Sequence, residues 1–295
     1  MTLIQVAAPA RQRRRVTFKS GAERVEWTAA AYRQGWLSSR HSLPAELALV
    51  LGVYAVYEGT RGLVAGDANL AQRHAQDIVS LELSLHIFVE GSVQHAALAV
   101  PGLTGTLGFA YLTLHLVATA GLLLWLYRRR PAAYPFIRTT LVLASALAMV
   151  GYVVFPTAPP RLTDVGIVDT VSGRHVDLNK GLISSLYNPY AAVPSMHAGY
   201  ALIVGASLVR NARRLIVRLA GLAYPPFVLL LIVATGNHFF VDAAAGAAVV
   251  GVALLAAWLV FRPWSVPGPS QSSRQARSET SIPNAAARAT SRRAA

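Results

Sequence analysis

Five stretches of this chain run for about the thickness of a bilayer without one Asp, Glu, Lys or Arg. They are Leu107–Tyr127, Thr139–Pro160, Ala191–Val209, Leu219–Asn237 and Ala243–Phe261. A helix needs about 20 mostly apolar residues to cross the hydrocarbon core, so each is expected to span. Leu47–Gly66 is a weaker sixth, interrupted near its end by Glu58 and Arg61. The expected fold is all-α: a polytopic membrane protein with a six-transmembrane-helix bundle. Composition agrees, since only 14% of the residues are charged, against roughly 25% in soluble domains.

The same chain carries a formal net charge of +14. Nucleic-acid-binding proteins place their basic residues on a soluble fold, so no nucleic-acid partner is expected. In a multi-pass membrane protein the positive charge gathers on one side of the bilayer. With the N-terminus in the cytoplasm and six crossings, 22 of the 27 Lys and Arg residues fall on the inner side. Arg61, Arg73, Arg161, Arg174 and Lys180 remain outside. The reading is therefore a plasma-membrane protein with both termini cytoplasmic. Runs such as Arg11–Arg15 and Arg128–Arg130 are topology anchors beside anionic lipid, whereas each outer cation becomes a candidate for chemistry.

Three parts follow from this partition. Residues 1–43 form a basic cytoplasmic N-terminal segment without an apolar core, so no cleaved secretory signal is expected. Residues 44–262 form the membrane domain, and residues 263–295, rich in Ser, Arg, Pro and Ala, form a cytoplasmic tail expected to be disordered. Between the first two spans, Ile78, Leu81, Leu85, Phe88, Val89 and Val93 recur at helical spacing over Ala68–Leu98. Glu82, His86 and Glu90 make another face, which suits one helix at the outer interface, either a packing helix with solvated charges or a lid that meets the substrate headgroup. The chain has no cysteine, which removes disulfides, thiolate metal sites and a Cys nucleophile.

Three outer segments meet at one depth in this topology: Phe155–Leu162, Asn188–Gly199 and Thr235–Asp242. His238 and Asp242, four residues apart at a helix start, lie on one face. A carboxylate there can take the ring N–H of His238, fix its tautomer and leave the other nitrogen nucleophilic. The same pair could equally stabilise the bundle. His197 follows Pro194 and Ser195, a helix-start signature, and a second imidazole can protonate a leaving alkoxide. Arg161, after a Pro-Pro pair, offers bidentate contacts to phosphate. Ser195 and Asn237 join it as phosphate-binding candidates. The helices beginning near residues 196 and 240 both present N-termini to this side, where free N–H groups favour an anion. His115, midway along the second span, is read as structural.

These elements, Pro-Pro-Arg161, Pro194-Ser195-Met196-His197 and His238-x-x-x-Asp242, resemble the type-2 phosphatidic acid phosphatase superfamily. With Asn188-Pro189-Tyr190 they look most like its inositol-phosphorylceramide-synthase-like branch. The resemblance implies that His238 becomes phosphorylated and Asp242 orients it. His197 then protonates the leaving oxygen, and Arg161 holds the phosphoryl oxygens. It implies no cofactor and no metal. The substrate would be a lipid or polyprenyl phosphate at the outer leaflet, attacked afterwards by water or by an alcohol. Two family cations are absent, since Val154 and Ile232 stand in their places. Arg61, Arg73, Arg174 and Lys180 are the possible replacements, although Arg61 also suits Glu58 three residues earlier. The alternatives are an inactive scaffold and a small transporter. The latter lacks a broken helix or inverted repeat near mid-membrane.

The topology is directly testable in a chain without cysteines. Gly173→Cys is expected to react with an impermeant thiol reagent on intact cells, and Asn211→Cys is not. The reverse labelling would place the site in the cytoplasm.

Overall fold

The computed structural model describes residues 43–63, 67–171 and 188–261. The N-terminal segment, the tail, and Arg174 and Lys180 lie outside the described residues, as do the side chains of Glu58 and Arg61. The described residues hold eight α-helices: α1 Leu43–Leu63, α2 Ala68–Ser84, α3 Glu90–Leu98, α4 Leu103–Arg129, α5 Tyr134–Val154, α6 Met196–Asn211, α7 Leu215–Ala234 and α8 Phe240–Phe261. A 3-10 turn covers Pro160–Leu162. Among the described residues the only extended pairing is a bridge between Thr157 and Ala191, so the all-α class holds.

Among the described residues four helices are long and apolar enough to cross a membrane: α4, α5, α7 and α8. The apolar part of α1 is the shorter stretch Glu46–Val56. The run Ala191–Val209 does not become one helix, because its first five residues are extended. Thr157 N–H donates to Tyr190 O at 2.7 Å and Ala192 N–H to Thr157 O at 3.3 Å, and Pro194 offers no N–H. Helix α6 therefore begins only at Met196 and has 16 residues, about 24 Å of rise. The extended backbone before it is buried within the protein, the circumstance in which irregular backbone is tolerated at membrane depth.

The single interfacial helix expected over Ala68–Leu98 is two helices. Helix α2 ends in a Schellman turn. His86 takes the left-handed conformation at φ 59°, its N–H donates to Leu83 O, and Ile87 N–H donates to Glu82 O at 2.9 Å. The expected faces hold only in part: Ile78 is buried, Phe88 and Val93 pack against the core and His86 is exposed, but the rest is reversed. Leu81, Leu85 and Val89 are exposed, while Glu82, Glu90 and Gln94 are buried. A row of bare leucines suits hydrocarbon contact, and the acids turn inward to serve the protein.

Helices α6 and α7 pack most closely, at a crossing of two glycines. A Cβ on Gly221 would lie 2.9 Å from the Gly205 carbonyl oxygen, so only small residues permit this approach. Helix α8 packs on α5 and α6. Helix α1 is pinned to α5 by a buried polar cluster. Arg138 Nη1 reaches both Glu46 carboxylate oxygens at 2.6 and 2.7 Å, and Tyr134 OH donates to Glu46 at 2.9 Å. Breaking one side of a buried pair strands the other charge, at a cost of about 3–5 kcal/mol. Glu46→Leu is thus expected to lower stability in detergent by about 3 kcal/mol. Glu46→Leu/Arg138→Met should recover most of that loss, as measured by thermal melting.

Candidate active site

Helix directions bring the site together. Helices α5 and α7 end, and α6 and α8 begin, around the same pocket, which is lined by His197, His238, Asn237, Tyr111, His115 and Tyr200 among others. Arg130 lies at the other end of the bundle. Its Nε donates to Asn211 O at the far end of α6, about 21 Å of helix from His197.

His238 lies in the turn between α7 and α8, which Gly236 makes possible. Gly236 has φ 70°, and a Cβ there would lie 2.7 Å from Ile167 and 3.3 Å from the Arg161 Cβ. Arg161 N–H donates to Gly236 O at 2.9 Å, joining the first and third outer segments directly. His238 is 4% exposed and Asp242 is fully buried. The His238 Nδ1 lies 3.2 Å from Asp242 Oδ2, which also accepts from Phe239 N–H at 2.9 Å. A carboxylate acceptor requires the proton on Nδ1, which leaves Nε2 with the lone pair.

His197 occupies the first turn of α6, and its ring centroid lies 5.7 Å from that of His238. The Tyr111 ring stacks on it at 4.2 Å and the His115 ring meets it edge-on at 4.3 Å. Ser195 is the N-cap of α6 and accepts from Ala198 N–H through Oγ. Its own N–H donates to the Asp242 carbonyl at 2.9 Å, so α6 and α8 start from one shared contact.

Arg161 reaches the site through Asn237. Its Nε donates to Asn237 Oδ1 and its Nη1 pairs with Asp169, both at 2.9 Å. The Asn237 amide in turn donates to Thr235 Oγ1 at 2.8 Å. The guanidinium is 2% exposed in its side chain and already shares its charge with Asp169. Of the two positions lacking a family cation, Val154 is exposed at the end of α5 and Ile232 is buried in α7. Arg73 is exposed on α2.

The expectation that both helix starts offer free N–H groups to an anion is overturned for α8. The N–H groups of Phe239, Phe240 and Val241 go to Asp242, Glu90 and Glu82 respectively. Carboxylates occupy that helix end, and three of its consecutive donors are already committed to them. Sequence reasoning assigned Glu82 and Glu90 to solvent, passed over Asp169 and Tyr111, and treated His115 as unconnected. The short distance from Glu82 to Glu90 across His86 was the available signal, but a straight-helix reading separates them.

Four long apolar helices mark a multi-pass membrane protein, and within it a buried His–Asp pair faces a second His. The family model of the PAP2 superfamily matches residues 76–256, more than half of the chain. The chain belongs to that superfamily. No curated protein and no solved structure matches it.

Gly246 sets the approach of α8 to the start of α6, since a Cβ there would collide with the Ser195 carbonyl oxygen. Both partners are backbone-fixed, so Gly246→Ala forces the helices apart. A cost of about 1–3 kcal/mol is expected for such overpacking, read as a lower melting temperature, together with loss of activity.

Proposed function

We propose that the protein is an integral-membrane phosphoryl-transfer enzyme acting on a lipid or polyprenyl phosphate through a phosphohistidine. The observation that carries this reading is the buried His238–Asp242 hydrogen bond with the His197 ring 5.7 Å away across a shared pocket. His238 Nε2 attacks phosphorus as the bond from phosphorus to the leaving oxygen breaks. His197 gives that oxygen its proton, and Asp242 holds the imidazolium that forms. Water or an alcohol, deprotonated by His197, then attacks the phosphohistidine and returns His238 to its starting state. Water makes the protein a phosphatase. An alcohol makes it a phosphotransferase, and inositolphosphotransferase chemistry is the finer form of that reading.

Arg161, with Ser195 and Asn237, is proposed to hold the phosphoryl oxygens. For the guanidinium this requires exchange: a phosphate with nearly two charges displaces the singly charged Asp169, whose side chain is 26% exposed. A lipid substrate is supported by an apolar groove of about 390 Å³ between α1 and α5, lined by Leu49, Gly52, Val56 and Met149 among others. Ser145, also on that groove, hydrogen-bonds Tyr200 of the polar pocket at 2.8 Å. A headgroup in one and a hydrocarbon chain in the other would suit an amphiphile. The charge asymmetry of the chain supports a plasma-membrane location with the site on the extracytoplasmic face.

Phosphate release or headgroup transfer from a panel of lipid and polyprenyl phosphates tests the proposal. His238→Ala and His197→Ala are each expected to lower turnover by at least about 100-fold, and acid-labile phosphate should be trapped on His197→Ala but not on His238→Ala. Full activity in either variant sinks the mechanism. A wild type inert toward every substrate favours the scaffold.

A further inference from the structure

Glu82 and Glu90 are both fully buried, yet the chemistry above uses neither. Each gives one oxygen to the first turn of α8: Glu82 Oε1 accepts from Val241 N–H at 2.7 Å and Glu90 Oε1 from Phe240 N–H at 3.2 Å. The second oxygen of each is buried without a donor. The two carboxyls sit on adjacent N–H groups of one helical turn, each with a second oxygen that lacks a donor, and a single proton between them supplies it. Eight residues apart on a straight helix they would stand about 12 Å apart along the axis. The Schellman turn at His86 folds the chain back so that they meet on adjacent N–H groups.

We infer that Glu82 and Glu90 are positioning residues, a carboxyl pair sharing one proton that clamps the first turn of α8 and holds His238 and Asp242 in their reactive geometry. The clamped N–H groups directly follow that of Phe239, which binds the same Asp242 oxygen that faces His238. A shift of this turn therefore moves nucleophile and orienting acid together. Burial first, and then the Glu90 carboxyl, push the Glu82 pKa up to about 9, against an opposing backbone hydrogen bond from Val241. The charged and titratable groups facing the pair are Asp242 and, beyond it, His238. Because Glu82 binds its proton more tightly in the folded chain than an ordinary glutamate, whose pKa is 4.5, its contribution to stability is complete at low pH. It is lost progressively as pH rises toward about 9.

This inference rests on the phosphoryl-transfer reading for its kinetic part only. In Glu82→Gln the amide oxygen still accepts from Val241 and the NH2 donates to Glu90, reproducing the shared proton. Turnover is expected within about threefold of wild type, whereas Glu82→Leu is expected to lose about 100-fold in kcat, as misplacement of a reactive group does, with KM little changed. A folded Glu82→Leu that turns over at the wild-type rate overturns the clamp. Two readouts need no substrate. Infrared difference spectra of purified wild type at pH 7 should carry a protonated-carboxyl band that is missing from Glu82→Gln. The fall in melting temperature of wild type from pH 5 to pH 9 should flatten in the same variant. A wild type without the band, or a variant that keeps both band and slope, overturns the shared proton. An inert wild type that shows the band and slope counts against the enzymatic reading and supports the pair.

Discussion

Three consecutive N–H groups at the start of α8, given to Asp242, Glu90 and Glu82, are the contact on which the rest of the site depends. A helix start leaves several donors unsatisfied, and burying them bare costs about 1–3 kcal/mol each. Here the acceptors come from three places in the chain. Asp242 comes from the helix itself, and Glu82 and Glu90 from either side of the break at His86. Capping α8 therefore also seats α2 and α3 against the bundle. The Ser195 N–H on the Asp242 carbonyl extends the same joint to α6. Both histidines stand one or two residues from it.

The arrangement also decides how the site handles charge. A phosphate binder usually exploits a helix N-terminus, but the one beside His238 is taken up by carboxylates, which repel an anion. The nearby cation, Arg161, is matched by Asp169. With apolar Val154 and Ile232 at two positions where the family places cations, the electrostatic attraction for a free phosphate ion is modest. Binding energy from a hydrocarbon chain then has more to supply, at about 0.8 kcal/mol per buried CH2. That balance favours amphiphilic substrates over inorganic phosphate.

Much of this was legible in the sequence where a local rule governs. Charge-free runs marked α4, α5, α7 and α8, and the i, i+4 spacing of His238 and Asp242 placed both on one turn. Ser195 before Met196 announced the start of α6. What escaped were features set by long-range contact. Residues 191–195 are as apolar as the helix they precede, and pairing of this segment with Thr157, through Tyr190 O and Ala192 N–H, keeps its start out of the helix. The stripe through Leu81, Leu85 and Val89 has helical period, but period does not say which face is inside when the outer solvent is lipid. Likewise, nothing near Arg161 in sequence reveals Asp169 as its partner, because the intervening segment must fold before the two meet.

The buried carboxylates raise the question of how such a cluster is tolerated at all. Two unit charges about 4 Å apart repel by roughly 4 kcal/mol at an effective dielectric constant of 20. A helix dipole returns at most about 2 kcal/mol per charge in partly buried geometry. Three ionised acids around one helix end would therefore not be held by the dipole alone. One proton between Glu82 and Glu90 removes the larger repulsion and supplies a donor to two oxygens that otherwise have none, as carboxylate pairs elsewhere do when they cannot both ionise. The break at His86, an unfavourable left-handed residue without glycine, is the local cost of bringing those two side chains to one place.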